Sequence, residues 1–175
     1  MFSHKTIQNA YYVSDLDEAI GRWHHLWGIG PFFVRRHIVL PFVTYRGAPA
    51  QLDISAAYVQ AGPIQVELVT QHNDAPSAFR DMFAVGQEGL HHVAVIPDDY
   101  HALIAHYAAS GFPVATELRT ASGRGASYVD TRPMLGHMTE IYPPSESLNA
   151  LYRDVAAAAA AWDRKVLKIE VDPAK

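Results

Sequence analysis

Four polar side chains lie in apolar stretches of this sequence, and their types are those that bind divalent metal ions. Gln8 and His92 each precede an aspartate by seven positions. Glu67 stands in Gln-Val-Glu-Leu-Val, and Glu140 stands in Met-Thr-Glu-Ile-Tyr. A carboxylate among apolar strand residues is costly to bury unless it is paired or binds a cation. One histidine, one amide and two carboxylates therefore indicate a site for a hard or borderline divalent metal ion.

The elements that must position these residues occur twice along the chain. Residues 6–13 and 91–96 have the composition of strands, and Asp15 and Asp99 then begin helical patterns, with Glu18 completing a capping-box-like pair in the first. Further strands are expected at about 32–39, 51–60 and 64–70 in the first half, and at 114–119, 125–130 and 137–142 in the second. Residues 40–50 read as a loop, and a short helix is expected near 76–84.

This β-α-β-β-β repeat predicts an α+β fold made of two βαβββ modules, followed by a C-terminal helix. A single domain is expected over residues 1–145, with module 1 at about 5–70 and module 2 at about 90–143. The remaining residues, 146–175, are expected to form a helix over about 146–163 and then a loose arm. The apolar stripe of that helix indicates packing on the domain or on a second subunit.

Alternation along a strand indicates which side chains share a face of the sheet. Gln8, Glu67, His92 and Glu140 occupy matching strand positions in the two modules. His91 is expected to point to the other face. Aromatic strand residues belong more often to the core than to a pocket, but Tyr12, Tyr128 and Tyr142 are candidates for pocket lining. A single arginine is more often solvated than functional, but the candidates for holding a substrate carboxylate or phosphate are Arg35, Arg46 and Arg124.

Composition excludes several classes of function. The 175 residues carry a formal net charge of -4 and no basic run, so nucleic acid is not an expected partner. No apolar run approaches the roughly 20 residues of a membrane span, and the N-terminus lacks the apolar stretch of a signal peptide. The sequence contains no cysteine, so any metal must be held by histidine, carboxylate or amide oxygen. The expected location is the cytoplasm.

These motifs resemble those of the vicinal oxygen chelate superfamily, which includes glyoxalases, extradiol dioxygenases and bleomycin-resistance proteins. The similar stretches begin at Gln8, Val66, Gly89 and Gly136, and together they cover about residues 5–143. Gly-Pro-Phe after the first helix and Gly-Leu-His-His-Val-Ala before the second are similar to the glyoxalase-like branch that includes methylmalonyl-CoA epimerase. The resemblance implies a cup-shaped, eight-stranded mixed sheet and a homodimer.

The resemblance also implies roles for individual residues. The metal ligands of that family lie on the first and fourth strands of each module, which correspond here to Gln8, Glu67, His92 and Glu140. Gln8 departs from the family, where histidine is usual, and this argues against an extradiol dioxygenase. The implied ion is divalent, with Co, Zn, Mn, Ni and Mg as candidates. Glu140 is the first candidate for a general base, and Glu67 is the second.

The expected function is that of a metal-dependent isomerase or epimerase. Such an enzyme removes a proton next to a carbonyl or thioester of a small-molecule substrate, for example an acyl-CoA. One alternative is a metal-free, resistance-type protein that binds a small molecule, with Glu67 and Glu140 paired to arginine or tyrosine. The other is a metal-dependent lyase or ring-opening enzyme. A metal assay separates the first alternative from the other two functions.

Overall fold

The computed structural model describes residues 4–174, which form one continuous sheet with helices on both of its faces. The strands are β1 (His4–Tyr12), β2 (Phe32–Arg35), β3 (Phe42–Tyr45), β4 (Ala48–Pro49), β5 (Ile54–Ala61), β6 (Ile64–Gln71), β7 (Gly89–Pro97), β8 (Val114–Arg119), β9 (Gly125–Val129), β10 (Met138–Ile141) and β11 (Lys168–Glu170). The helices are α1 (Leu16–Trp27), α2 (Ala78–Met82), α3 (Tyr100–Ala109), α4 (Arg132–Leu135) and α5 (Glu146–Ala160). No helix in this part of the chain is long and apolar enough to cross a membrane.

The order of the strands shows the internal repeat directly. From edge to edge the sheet runs β11-β2-β5-β6-β1-β7-β10-β9-β8-β3-β4. In each module the first strand pairs in parallel with the fourth, and the two first strands, β1 and β7, pair antiparallel with each other. The predicted α+β fold with a curved, mixed sheet is confirmed. The sheet has eleven strands rather than eight, because three short strands extend the eight that belong to the modules.

The three additional strands all lie at the edges of the sheet. β3 and β4 form a hairpin within the predicted loop, and β3 pairs with β8 of the other module. Pro41 and Pro49 are turn residues in the sequence, but proline is tolerated at the edge of a sheet, where its missing N–H interrupts no ladder. β11 pairs in parallel with β2 at the opposite edge. Strands of two to four residues are too short to show a clear alternation in the sequence.

Helices α1 and α3 occupy equivalent places in the two modules, and each begins after the predicted aspartate. Asp15 accepts a hydrogen bond from the Glu18 backbone N–H, and Asp99 accepts one from that of Ala102, both at 2.9 Å. These N-caps satisfy amides of the first helical turn. α1 packs on β2, β5 and β6, and α3 packs on β7, β9 and β10. The opposite, concave face of the sheet is left for a site.

Helix α5 packs against that concave face. Its Val155 is buried in the same core as Tyr58 and Tyr128. After α5 the chain returns to module 1, where β11 pairs with β2 and the Arg35 guanidinium donates to the Pro173 carbonyl at 3.3 Å. The expectation of a loose C-terminal arm is therefore wrong for these residues. Packing within the chain explains the apolar stripe of α5, and the homodimer stays a prediction.

Candidate metal centre

The four predicted ligands converge on the concave face of the sheet. One ligand atom each from Glu67, His92 and Glu140 lies within 4.8 Å of the other two. His92 Nε2 is 3.0 Å from Glu140 Oε2 and 3.5 Å from Glu67 Oε2. Gln8 lines the same cavity as Glu67 and Glu140. The structure therefore brings together the side chains that the sequence pattern selected, and their role as ligands is a proposal developed below.

Strand pairing explains this convergence. The four side chains come from neighbouring strands, in the order β6, β1, β7 and β10. In module 1 the carboxylate residue pairs with Ala10, two positions beyond Gln8, and in module 2 it pairs with Ala94, two positions beyond His92. Because residues two positions apart share a face of a strand, this symmetric register directs all four side chains to one face.

The cluster fits a metal ion because its polar atoms are buried without other partners. Among residues 4–174, Gln8 Oε1, Glu67 Oε2, His92 Nε2 and Glu140 Oε2 make no hydrogen bond, and His92 Nε2 has only its ion-pair contacts with the two carboxylates of the cluster. A buried polar atom without a partner costs roughly 1–3 kcal/mol. Three of these side chains have ligand atoms within 4.8 Å of one another, and Gln8 lines the adjoining cavity, so a ligand that satisfies the four atoms together is favoured. Three oxygens and one imidazole nitrogen suit a divalent ion of hard or borderline character.

The buried charges of this cluster depend on one another. Burial opposes a charge on His92, but the carboxylates of Glu140 and Glu67 raise the pKa of His92 to about 9. Burial raises the pKa of Glu67, and the charge of His92 partly offsets this effect. The His92 proton thus balances part of the buried negative charge, and a bound divalent ion would take over that role.

His91 lies beside His92 and not on the opposite face, which corrects the expectation from strict alternation. The pairing of β7 with β1 skips one position between His92 and Leu90, so His91 is the extra residue of a β-bulge. The rings of His91 and His92 both contact the ring of Tyr128, at centroid distances of 5.8 and 5.1 Å. A bulge breaks the period of two, and alternation alone therefore assigned His91 to the wrong face.

The hydrogen bonds of His91 assign its tautomer and the direction of its hydrogen bond with His92. His91 Nε2 is 3.0 Å from the Ala78 carbonyl oxygen, which can only accept, so Nε2–H is the donor. Burial, and then the charge of His92, lowers the pKa of His91 well below its usual range, so its Nδ1 carries no proton. His92 Nδ1–H therefore donates to His91 Nδ1 at 2.8 Å. This bond orients the His92 ring with Nε2 toward the carboxylates, as outer partners of ligating histidines do.

A cavity adjoins the cluster. Its walls are largely apolar and aromatic, and they include Ile38, Leu40, Ile54, Tyr58, Leu118, Tyr128 and Tyr142. α5 contributes Leu148, Leu151 and Tyr152 to one side. A concave, largely apolar cavity with a few polar groups at one end has the lining that is typical of a small-molecule site.

Two arginines line the same cavity. Arg35 comes from β2 of module 1, and Arg124 immediately precedes β9 of module 2. Burial, and then the charge of Arg35, lowers the pKa of Arg124, so the two guanidinium groups lie near each other. Adjacent arginines beside an apolar cavity suit a carboxylate or phosphate. Arg46, the third candidate, lies instead in a network of ion pairs with Asp81 at 2.6 Å and Asp130 at 3.0 Å.

The tyrosines of the cavity were only partly predicted. Tyr128 and Tyr142 line it, whereas Tyr12 lies in the core, where its hydroxyl accepts a hydrogen bond from Arg80 at 2.7 Å. Tyr58 and Tyr152 also line the cavity but were not predicted to do so. Alternation along the strand could have identified Tyr58, because it shares a face of β5 with buried residues at two-residue spacing. For Tyr152 the sequence showed only an apolar helix stripe.

Comparison with known proteins identifies the class that this fold and cluster define. Residues 7–129 match the family model described as the Glyoxalase/Bleomycin resistance protein/Dioxygenase superfamily. The chain belongs to this superfamily, and the family predicted from the sequence is confirmed. No curated protein sequence matches the chain at a significant level.

Solved structures with a similar fold include methylmalonyl-CoA epimerases. The enzyme from Mycobacterium tuberculosis is 18% identical, with a TM-score of 0.51 and coverage of 83% of this chain and 91% of that chain. A variant of the Streptomyces coelicolor epimerase in complex with 2-nitronate-propionyl-CoA is 18% identical, with a TM-score of 0.51 and coverage of 81% and 95%. A hypothetical protein from Bacillus halodurans is 15% identical, with a TM-score of 0.57 and coverage of 82% and 96%. At these identities the similarity shows a shared fold.

Proposed function

We propose that the protein is a metal-dependent isomerase or epimerase that removes and returns a proton next to a carbonyl or thioester group. The observation that carries this proposal is the cluster of four buried ligand atoms that make no hydrogen bond, beside the cavity. Gln8, Glu67, His92 and Glu140 would hold the ion. When bound, a divalent ion supplies Lewis acidity and positive charge for the negative charge that develops on a substrate oxygen.

Glu140 is the proposed general base. Its side chain is buried, lines the cavity and lies beside His92, so it adjoins both the ligand cluster and the space for a substrate. Glu67 lies on the side of the cluster opposite Glu140, because β6 and β10 flank the central strands β1 and β7. An epimerase takes a proton from one face of a carbon and returns it to the other, which suits two carboxylates on opposite sides of a site. The apolar walls strengthen these interactions by excluding water.

The proposed substrate is a small anion with two neighbouring oxygen atoms. Arg35 and Arg124 line the cavity where they would bind its carboxylate or phosphate, while the ligand cluster would face its reacting carbonyl. One of the structures with a similar fold is a methylmalonyl-CoA epimerase in complex with methylmalonyl-CoA and an ammonium ion. Acyl thioesters substituted at the α-carbon are therefore the first class to test.

Metal binding is expected to stabilise the fold. Saturation with a divalent ion at about 100 times its Kd contributes about 2.7 kcal/mol, which raises the Tm of a chain of this size by about 5–10 °C. Thermal unfolding of chelator-treated protein, with and without Mn²⁺, Co²⁺, Ni²⁺ or Zn²⁺, measures this. The double variant Glu67→Gln/Glu140→Gln should lose most of the shift, and the matched pair Glu117→Gln/Glu146→Gln, outside the cavity, should keep it. An unchanged wild-type Tm with every ion would favour the metal-free binding protein.

His91, the extra residue of the β-bulge, gives a second prediction, which concerns the affinity for metal. His91→Leu removes the partner of His92 Nδ1, and loss of such an outer partner typically weakens metal binding by about 10–100-fold. Competition with a chromophoric chelator measures the affinity. Met138→Leu, a conservative change at a buried position on β10, is the control for altered packing. Wild-type affinity in a folded His91→Leu protein would contradict the positioning role of His91.

A further inference from the structure

A second group of metal-binding side chains lies on the surface, outside the cavity. His37 follows β2, Asp53 precedes β5 and His72 follows β6. One ligand atom from each of these residues lies within 4.8 Å of the other two. β2, β5 and β6 are neighbours in the sheet, so three adjoining strand ends present these side chains together. The proton transfer proposed above uses none of them.

Direct contacts hold the three side chains as a group. His37 Nδ1 is 2.8 Å from Asp53 Oδ1, and the rings of His37 and His72 stack with their centroids 4.3 Å apart. Ser55 connects the two histidines, because its hydroxyl accepts a hydrogen bond from the His37 backbone N–H at 2.9 Å and lies 2.7 Å from His72 Nε2. These contacts join the three side chains and Ser55 into one connected group.

The backbone also fixes the group. The His72 N–H donates to the Asp53 carbonyl, and the Ile38 N–H donates to the Ile54 carbonyl, both at 2.8 Å. His37 has a φ of 48°, in the left-handed region that residues other than glycine seldom adopt. Such a conformation persists where the surroundings determine it, and it occurs frequently at ligand-binding positions.

We propose that His37, Asp53 and His72 form a second metal site, which binds a borderline transition-metal ion such as Zn²⁺, Co²⁺ or Ni²⁺. Two imidazoles and one carboxylate suit these ions, whereas Mg²⁺ and Ca²⁺ prefer oxygen ligands alone. The side chains of His37 and Asp53 are 65% and 42% exposed, so small rotations can bring the ligand atoms onto one ion and water can complete its coordination. This proposal does not depend on the function proposed for the cavity.

The position of this site connects it to the cavity wall. The segment that follows His37 carries Ile38 and Leu40, and Asp53 directly precedes Ile54. These three apolar residues line the cavity. An ion held by His37, Asp53 and His72 would therefore fix the ends of the segments that form this part of the wall.

The test uses the full chain with Zn²⁺ as the probe. His37→Ala/His72→Ala is compared with the matched pair His25→Ala/His101→Ala, which removes two exposed histidines elsewhere. Both pairs are made in wild type and in the Glu67→Gln/Glu140→Gln background, which removes two ligands of the buried cluster. Calorimetry and elemental analysis after dialysis measure the zinc bound.

The His37→Ala/His72→Ala pair is expected to lose one equivalent of zinc in both backgrounds, and the control pair is expected to lose none. Asp53→Asn should weaken the same binding by at least about tenfold, since a neutral amide replaces a charged ligand. Equal zinc binding by the two histidine pairs would overturn the proposal. If the double glutamate variant does not fold, the difference between the pairs in wild type decides the result. If the buried cluster binds no metal, the comparison between the two histidine pairs still tests the proposal.

Discussion

Glu140→Gln is expected to lower the rate of proton exchange at the substrate α-carbon by about 10²–10⁴-fold, the usual contribution of a general base. The substitution keeps the size of the side chain and one oxygen for an ion, but an amide cannot take up the proton. Gln8→Ala is expected to cost less, because Gln8 offers only one neutral oxygen, which water can replace. Comparison of the two variants therefore separates loss of the base from loss of one ligand.

The measurement is exchange with solvent deuterium at the α-carbon of 2-hydroxy ketones and 2-methyl thioesters, with a divalent ion in excess. Glu146→Gln, which removes an exposed carboxylate of α5, is the matched control. Wild-type exchange by Glu140→Gln together with an inactive Gln8→Ala would show that Glu140 is not the base. If wild type exchanged no substrate and bound no metal, the metal-free alternative would replace the proposed function.

Arg124→Met is expected to raise the KM of an anionic substrate by about 10–100-fold, with a smaller effect on kcat. A hydrogen bond to a charged group contributes about 1.5–3 kcal/mol, and methionine keeps the unbranched chain while removing the guanidinium. Because Arg124 lines the cavity but is absent from the ligand cluster, its loss should weaken substrate binding more than proton transfer.

The same kinetics with Arg46→Met provide the control, since Arg46 pairs with Asp81 and Asp130 and is not among the residues that line the cavity. A methyl ester of the substrate, which lacks the anionic charge, should bind wild type and Arg124→Met equally well. An equal change for the acid and its ester would show that Arg124 acts through packing and not through charge.

The core of this fold and its candidate site could be predicted from the sequence because the two modules repeat the same elements and the same site positions. Gln8 and His92 stand at matching positions on the first strand of each module, and Glu67 and Glu140 do so on the fourth. A carboxylate within an apolar strand is conspicuous, and a second copy at the same place makes chance less probable. The period of two then placed all four side chains on one face before any pairing was known.

The parts that were missed depend on contacts that leave no periodic signal. The bulge at His91 arises from the pairing of β7 with β1, and its effect is to turn one side chain toward its neighbour. β3, β4 and β11 are short edge strands whose partners lie far along the chain. The sequence of α5 shows a clear apolar stripe, but an apolar stripe does not identify the surface against which the helix packs. Tyr152 was therefore not assigned to the cavity.

The path of α5 has a mechanical consequence for the entry of ligands. The helix follows β10 of module 2 and is succeeded by β11, which pairs with β2 of module 1, so it is anchored at both ends in different halves of the molecule. A segment anchored at both ends cannot swing outward as a hinged flap does. Outward movement of α5 from the cavity that it lines is therefore restrained while the three-residue strand β11 stays paired with β2. Fraying at one edge of the sheet and access to its centre are therefore linked.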